Sequence, residues 1–425
     1  MNPADLAIVA ALVFGWGTLS ARMERFDVTA PIIFVLAGLL LTRGPLAFLS
    51  FAPSNQLIKD LAEFTLAVVL FSDASRVGLH GLRVDASLDA RLLGVALPLT
   101  IGLGTLLALT IPGTGIWLAL LVGAALAPTD AALGAGMIAN PVIPARIRRL
   151  INVESGLNDG IATPFVSVAL AGAAGGHIAG HGPAAAVAEL GVGIAVGLGV
   201  GGAGGLLVNT ARRRGWVAEG FAGAGVLGLA TCAYASAVAT GGNGFIAAFV
   251  GGLGFGTMSG RRGKPLVPFV EETGALASLL VWLAFGSVAV VPAMKVLTWH
   301  MVLYAVLSLT VVRMAPVVVA LTGARIGWPT VALVGWFGPR GLASVVFALL
   351  ALEELGSAAA RGAVAVITIT VLLSVVAHGA TADPLATRYA RLLAHPPGAH
   401  PASGGGNAGM PGLPDRRLIR RAANR

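Results

Sequence analysis

Long apolar segments separated by short polar ones make up most of the chain, and only its C-terminal part departs from this pattern. A helix needs about 20 predominantly apolar residues to cross the hydrocarbon core of a bilayer. Most of the segments reach that length. The pattern therefore predicts an all-α polytopic membrane protein with about thirteen transmembrane helices: 5–21, 31–50, 57–74, 91–111, 115–139, 147–173, 184–209, 216–239, 242–258, 270–291, 297–322, 328–352 and 360–382.

Two boundaries in this pattern are less regular than the others. The run 216–258 is nearly continuous and is divided only at Gly241-Gly242-Asn243-Gly244, so a count of twelve spans remains an alternative. From about residue 385 the chain becomes polar and rich in Gly, Pro and Arg. Such composition is typical of disorder. We therefore predict a membrane unit over 1–384 and a disordered cytoplasmic tail over 385–425.

Composition supports the membrane class. Hydrophobic residues make up 56% of the chain and charged residues 11%, and the mean hydropathy is +0.86. Soluble domains carry roughly 25% charged residues, so a soluble enzyme is excluded. The single cysteine, Cys232, allows neither an internal disulfide nor a cysteine-based metal site.

The basic residues indicate an orientation. Cytoplasmic loops of membrane proteins carry an excess of Lys and Arg. With the N-terminus outside and the C-terminus in the cytoplasm, 22 of the 28 Lys and Arg residues fall on the inner side of the thirteen-span arrangement. The net charge of +9 is then a topology signal. A nucleic-acid partner is not expected.

Thirteen spans also suggest an internal symmetry. Many transporters contain two repeats of opposite topology, and here spans 1–6 would correspond to spans 8–13. The fifth and twelfth spans are then partners, and both are interrupted at mid-depth, by Pro128 and by Gly338-Pro339-Arg340-Gly341. Proline breaks a helix because it removes a backbone donor. Paired broken helices indicate a transport site.

The most informative polar residues lie in the sixth predicted span, in the stretch 152–160. An ionisable group at the centre of a bilayer costs about 3 kcal/mol and usually marks an ion or proton pathway. Asp159 lies ten residues beyond Arg149, or about 15 Å into the helix. Ser155 lies one turn away on the same face. The break at Thr129-Asp130 in the fifth span is placed to approach this region.

These residues predict a cation and proton site. A desolvated carboxylate resists ionisation, which suits Asp159 to exchange a proton for Na⁺. Oxygen atoms of Thr129 and Ser155 are suitable ligands for a hard cation. Two roles stay open for Asp130, which either contacts the cation or complements the helix ends at the break. Asn158 likewise either tethers the broken span or binds the ion.

Three further charged residues in the spans are interpreted as structural. Glu154 requires a partner in a low-dielectric setting, and Arg313 and Arg340 are the available intramembrane cations. We prefer Arg313 for Glu154, and Arg340 for Asp130 or for helix ends. Outside this region, Glu63 and Asp73 are interpreted as interfacial or helix-capping residues, with a role in the ion path as the alternative. Glu271 and Glu272 are interpreted as span-boundary residues.

The combination of motifs resembles a known family. Ala127-Pro128-Thr129-Asp130, followed by Glu154-Ser155-Gly156-Leu157-Asn158-Asp159-Gly160, is similar to the signature of monovalent cation:proton antiporters, the branch of the prokaryotic NhaP-type antiporters and the eukaryotic sodium/proton exchangers. The resemblance covers 1–384 and includes Arg313, the Gly338–Gly341 segment and His378-Gly379. The chain departs from the family at Ala131, where the family usually has proline.

The resemblance implies a thirteen-helix inverted repeat with a core part, about 91–173 and 297–384, and a dimerisation part, about 1–90 and 184–291. It implies a homodimer in which the core moves in an elevator-like cycle, and electroneutral exchange for members with an Asn-Asp pair. A physical argument agrees with the last point, because one titrating carboxylate trades one proton for one monovalent cation.

We therefore expect an antiporter of the cell membrane that exchanges Na⁺ or Li⁺ for H⁺ in pH and sodium homeostasis, without a cofactor. A K⁺/H⁺ antiporter of the same fold is the first alternative, because cation preference depends on ligand geometry. A cation channel or sensor is an alternative of another class. The spans show no Ser-His arrangement, metal-ligand cluster or cysteine nucleophile, so an intramembrane enzyme is not expected.

Overall fold

The computed structural model describes residues 3–23, 28–43, 55–81, 86–134, 143–175 and 183–394. All regular secondary structure in these ranges is helical, as the apolar pattern predicts. The α-helices are α1 Pro3–Met23, α2 Ala30–Arg43, α3 Asn55–Gly81, α4 Ala86–Arg91, α5 Leu97–Ala108, α6 Ile116–Ala125, α7 Ala145–Ala174, α8 Pro183–Arg213, α9 Glu219–Ala239, α10 Gly244–Ser259, α11 Val267–Val288, α12 Val290–Lys295, α13 Trp299–Leu309, α14 Val311–Leu321, α15 Trp328–Trp336, α16 Leu342–Glu354 and α17 Gly356–Ala394.

Short turns of other helix types adjoin these elements. A π-helical turn, Leu92–Ala96, joins α4 to α5, and a 3-10 turn, Ala131–Gly134, follows the end of α6. Two further 3-10 turns, Gly260–Arg262 and Lys264–Leu266, connect α10 to α11.

Seven helical segments of the described residues are long and apolar enough to cross a membrane. They are Pro3–Met23, Ala86–Ala108, Ala184–Arg213, Glu219–Ala239, Lys264–Lys295, Trp299–Leu321 and Ala358–Ala382. Shorter apolar helices occupy Ala30–Thr42 and Ile116–Ala125. Other helices are broken, carry several charges or are shorter, as α10 is with 16 residues. The count of thirteen therefore stays a prediction.

The nearly continuous apolar run 216–258 forms two separate helices, α9 and α10. Gly241 adopts a positive φ of 72°, a conformation that residues with a side chain rarely adopt. Asn243 then caps α10, because its side-chain oxygen accepts a hydrogen bond of 3.0 Å from the backbone N–H of Ile246. The glycine-rich break thus ends one helix and begins the next.

The last helix extends further than the sequence pattern predicted. α17 continues to Ala394, whereas the polar tail was expected from about residue 385. Tyr389 explains the difference, because its side chain is buried and its hydroxyl lies 2.9 Å from Thr330 Oγ1. Packing against α15 therefore holds this part of the chain in a helix. Residues 395–425 of the predicted tail lie outside the described residues.

The interior is mostly apolar, and its buried arginines lie around the two broken elements. The main hydrophobic core joins α3, α6, α7, α11, α16 and α17. Two arginines, Arg313 and Arg340, are nevertheless among the largest fully buried side chains. Large apolar side chains such as Phe14, Phe221 and Leu207 are exposed instead. An apolar exterior around an interior with buried charges is what a bilayer environment requires.

A candidate ion site at two crossing helix breaks

Two non-helical segments cross inside the protein. α6 ends at Ala125 and residues 126–130 are not helical, while residues 337–341 separate α15 from α16. The Asp130 backbone N–H donates a hydrogen bond of 2.8 Å to the Pro339 carbonyl. The Leu342 N–H, at the start of α16, donates to Asp130 Oδ2 at 3.1 Å. Each break therefore supplies a hydrogen-bond partner to backbone groups that the other break leaves outside a helix.

Arg340 stabilises the same crossing. Its Nη1 donates to the carbonyl oxygens of Ala127, at 2.6 Å, and Pro128, at 3.2 Å, and its Nη2 donates to Ser308 O at 3.3 Å. The side chain is fully buried. A guanidinium carries several donors in a fixed fork. It therefore serves carbonyls that the ends of α6 and α13 leave without helical partners.

Two glycines allow the segments to approach so closely. A Cβ atom on Gly341 would overlap the Asp130 side chain, and one on Gly338 would lie 2.7 Å from Arg313 Nε and 3.1 Å from Thr129 Cγ2. Both positions therefore exclude larger residues for reasons of space. The sequence marked these glycines only as part of a break.

Thr129, Ser155 and Asn158 form a buried polar cluster beside the crossing. Asn158 Nδ2 donates to Thr129 Oγ1 at 2.8 Å and to the Thr129 carbonyl at 3.3 Å. Thr129 Oγ1 lies 3.3 Å from Ser155 Oγ. Asn158 thus tethers the broken segment to α7. Its Oδ1 is buried and has no hydrogen-bond partner among the described residues, so an oxygen remains available for an ion.

Asp159 follows Asn158 on α7 and is half-buried. Within the described part of the chain, no hydrogen bond or ion pair is formed to its carboxylate, whereas Asp130 and Asp73 interact with it electrostatically. Its backbone carbonyl accepts a hydrogen bond of 2.8 Å from Thr163 Oγ1. The arrangement gathers several negative groups and neutral oxygens near one carboxylate, which is chemistry suited to a monovalent cation.

Asp73 lies beside the site. The preferred interpretation from the sequence was an interfacial or helix-capping residue, with a role in the ion path as the alternative, but α3 carries Asp73 against α7. A Cβ atom on Gly156 would lie 3.6 Å from Asp73 Cβ. Asp73 also interacts electrostatically with Asp130 and Asp159. The predicted span ended at residue 74, whereas α3 continues to Gly81, so Asp73 lies within the helix and not at its end.

Glu154 and Arg313 form a buried ion pair next to the cluster. Arg313 Nη1 lies 2.6 Å from Glu154 Oε1, and the two side chains are 2% and 5% exposed. Arg313 Nη2 also reaches the Val334 carbonyl, at 3.5 Å. This is the pairing preferred from the sequence, and it joins α7 to α14. Arg340, the second candidate, contacts helix ends.

The expectation that the spans hold no Ser-His arrangement was wrong, because Ser374 and His378 lie together beside the break of the twelfth span. Neither residue was assigned a role from the sequence. The Arg340 backbone N–H donates to Ser374 Oγ at 2.7 Å. His378 lies one turn further along α17, with Nδ1 3.1 Å from Ser374 Oγ and Nε2 3.0 Å from the Trp336 carbonyl. α17 thereby holds both sides of residues 337–341. Their spacing of four residues in an apolar run was the signal.

Buried charges at the crossing of two broken helices in an all-helical membrane protein define a secondary ion transporter. Comparison with known families gives the particular class. Residues 8–388 match the model of the family described as sodium/hydrogen exchanger, transmembrane, and the chain belongs to that family. The resemblance found in the sequence motifs is thus confirmed. Family and fold are those of a multi-pass membrane transporter rather than of an enzyme.

Solved structures show the same fold. The structure of the sodium proton antiporter MjNhaP1 from Methanocaldococcus jannaschii at pH 8 is similar with a TM-score of 0.72 and 17% identity, over 91% of this chain and 98% of that one. An electron-microscopy map of MjNhaP1 gives a TM-score of 0.68 and 20% identity over the same shares. Family and fold together support cation/proton antiport.

Proposed function

We propose that the protein exchanges Na⁺ or Li⁺ for H⁺, one for one, with cation and proton competing for Asp159. The observation that carries the proposal is the position of this carboxylate. It adjoins the tethered cluster of Thr129, Ser155 and Asn158 but forms no ion pair with any described residue. A half-buried carboxylate without a fixed counter-ion binds either a proton or a cation.

The neighbouring carboxylates have other surroundings. Glu154 is neutralised by Arg313, and Asp130 accepts a hydrogen bond at the N-terminus of α16. The positive end of a helix stabilises a negative side chain. Among Asp130, Glu154 and Asp159, Asp159 is therefore the carboxylate that changes its charge during exchange. One such group supports a one-for-one, electroneutral stoichiometry.

The cation would be coordinated by oxygen atoms. The Asp159 carboxylate, Ser155 hydroxyl and Thr129 hydroxyl or carbonyl supply the ligand types that hard cations prefer. Asp130 and Asn158 Oδ1 adjoin them, and Asp73 adds negative charge from α3, which packs against α7. We assign Asp130 mainly to the helix ends and Asp73 to attraction of the cation.

The larger architecture proposed for this function has thirteen spans, in two inverted repeats of six around one extra helix. The mutual contacts of the breaks after α6 and after α15 support that correspondence. Residues of about 91–173 and 297–384 would form the moving core, and about 1–90 and 184–291 the dimerisation part of a homodimer. The excess of basic residues on one side supports an outer N-terminus and a cytoplasmic C-terminus in the cell membrane.

The proposal is tested in proteoliposomes with an inwardly directed cation gradient and a lumenal pH dye, comparing Na⁺, Li⁺ and K⁺. Asp159→Asn should abolish cation-dependent proton movement at every pH, because an amide neither titrates nor balances a cation. Asp60→Asn is the matched control, since Asp60 is exposed on α3, where Gln56 Nε2 donates to it at 2.7 Å. In the unmodified protein the apparent KM for Na⁺ should rise as the pH falls.

Substantial exchange by Asp159→Asn would refute the assigned role of Asp159. Exchange driven equally by all three cations would refute the proposed preference. A rate that responds to an imposed membrane potential would contradict the one-for-one stoichiometry, because electroneutral exchange moves no net charge.

A further inference from the structure

A second group of charges lies at one end of α3, beyond Asp73. Arg76 is exposed over 64% of its side chain, and its Nη1 lies 2.6 Å from Glu271 Oε1 on α11. Both residues line a cavity of about 300 Å³, together with Ser75, Lys264, Val267 and Pro268. This cavity lies on the side of the molecule that the basic residues mark as cytoplasmic in the orientation proposed above.

The cavity-lining residue Arg76 lies about one helical turn from Asp73 on α3. Asp73 and Arg76 are three residues apart, so their side chains project from the same face of the helix. Asp73 interacts electrostatically with Arg76, Glu271 and Asp130. Arg76 and Glu271 therefore lie within electrostatic reach of a carboxylate at the ion site.

Arg76 has two carboxylates within reach, and the structure shows which one holds it. The short ion pair is made with Glu271. Among the described residues, the Asp73 carboxylate has no such ion pair. A guanidinium bound at Asp73 would neutralise this carboxylate and place a fixed positive charge in front of an arriving cation.

We propose that Glu271 is a positioning residue that holds Arg76 away from Asp73, and that Arg76 is a tethered cation that competes with the transported cation when this hold is lost. The inference rests on the proposed function, since it concerns access to the same site. Arg76 and Glu271 would thereby set the apparent affinity for the cation without touching it.

The test measures Na⁺ in two ways, as the apparent KM and maximal rate of exchange and as the Na⁺ concentration that half-maximally stabilises the purified protein against heat. Glu271→Gln should raise both the KM and the stabilisation midpoint about tenfold, because a nearby like charge opposes cation binding, with the maximal rate changed less than about twofold. Arg76→Gln combined with Glu271→Gln should restore both values.

Two comparisons separate this mechanism from a general loss of negative charge. Glu272→Gln makes the same charge change on an exposed neighbouring side chain, and it should leave both values unchanged. In an Asp73→Asn background, Glu271→Gln should have no further effect, because Arg76 then has no carboxylate to occupy.

The proposal is overturned if Glu271→Gln leaves the KM and the midpoint unchanged, or if Glu272→Gln raises them equally. It is also overturned if the double variant stays impaired. Failure of the proposed function would look different, because Asp159→Asn would then retain exchange or Na⁺-dependent stabilisation whatever residue 271 is.

Discussion

At the scale of single residues, the two buried arginines are tolerated because their terminal nitrogens meet groups that replace water. Arg340 donates to three carbonyl oxygens, and Arg313 is neutralised by Glu154. Charged groups in a membrane interior otherwise carry a large desolvation penalty. Asp159 differs from these charges, because its carboxylate has no such fixed partner within the described residues.

The Glu154–Arg313 pair gives a prediction about stability. Glu154→Gln should lower the free energy of unfolding by about 3–5 kcal/mol, because it leaves a buried guanidinium without its counter-ion. Thermal unfolding in detergent measures the effect, with folded yield as a second readout. The apparent KM for Na⁺ of the protein that does fold should stay close to normal, since Glu154 is assigned no role in ion binding.

A paired variant provides the control for this prediction. Glu154→Gln combined with Arg313→Gln removes both charges together and should recover part of the lost stability. If Glu154→Gln unfolds at the same temperature as the unmodified protein, the pair does not support the fold as described.

Residue chemistry was predictable from the sequence where a polar side chain stands alone in an apolar run. This criterion selected Glu154, Asp159, Arg313 and Arg340, which all lie close to the crossing. It did not place Asp73, because a carboxylate near the end of a span has an ordinary interfacial explanation. Only the packing of α3 against α7 shows that Asp73 faces the site.

At the scale of elements, the crossing depends on two breaks that are complementary in detail. Each break leaves helix ends unpaired, and the partner segment supplies Asp130, Arg340 and backbone groups to them. Pro128, Gly338 and Pro339 predicted that the helices would break. The crossing contacts join residues more than 200 positions apart, so local sequence patterns could not predict them.

The closeness of the crossing leads to a prediction for Gly341. Gly341→Ala should abolish exchange, because the added Cβ would occupy the space of the Asp130 side chain and force the two breaks apart. Gly362→Ala on α17 is the matched control, since a Cβ there meets no atom within 4 Å. Proton movement in proteoliposomes and thermal unfolding are measured for both variants. Normal exchange by Gly341→Ala would contradict the described crossing.

At the scale of the whole molecule, the helical class and the membrane location followed from composition and periodicity alone. The division into a moving core and a dimerisation part did not, because it depends on how the helices pack. α3 and α7 meet across the proposed boundary, where Gly156 allows close contact with Asp73 and Val77. An elevator-like motion would require these helices to slide past one another.

A reversible cross-link tests that motion. In a Cys232→Ala background, which removes the exposed native thiol, Val77→Cys and Gly156→Cys would bridge α3 to α7. A Cβ on Gly156 lies 3.9 Å from Val77 Cγ2, which is close enough for a disulfide after a small adjustment. Oxidation should stop exchange and reduction should restore it, because the bridge fixes the core against its partner.

The control is a bridge of similar geometry that stays within the proposed dimerisation part. Val69→Cys and Gly274→Cys join α3 to α11, where a Cβ on Gly274 lies 3.2 Å from Val69 Cγ2. Oxidation of this pair should leave exchange intact, and Gly156→Cys alone should be insensitive to oxidation. Undiminished exchange with a quantitatively formed Val77–Gly156 bridge would show that α3 and α7 do not move apart. The boundary between the two parts would then lie elsewhere.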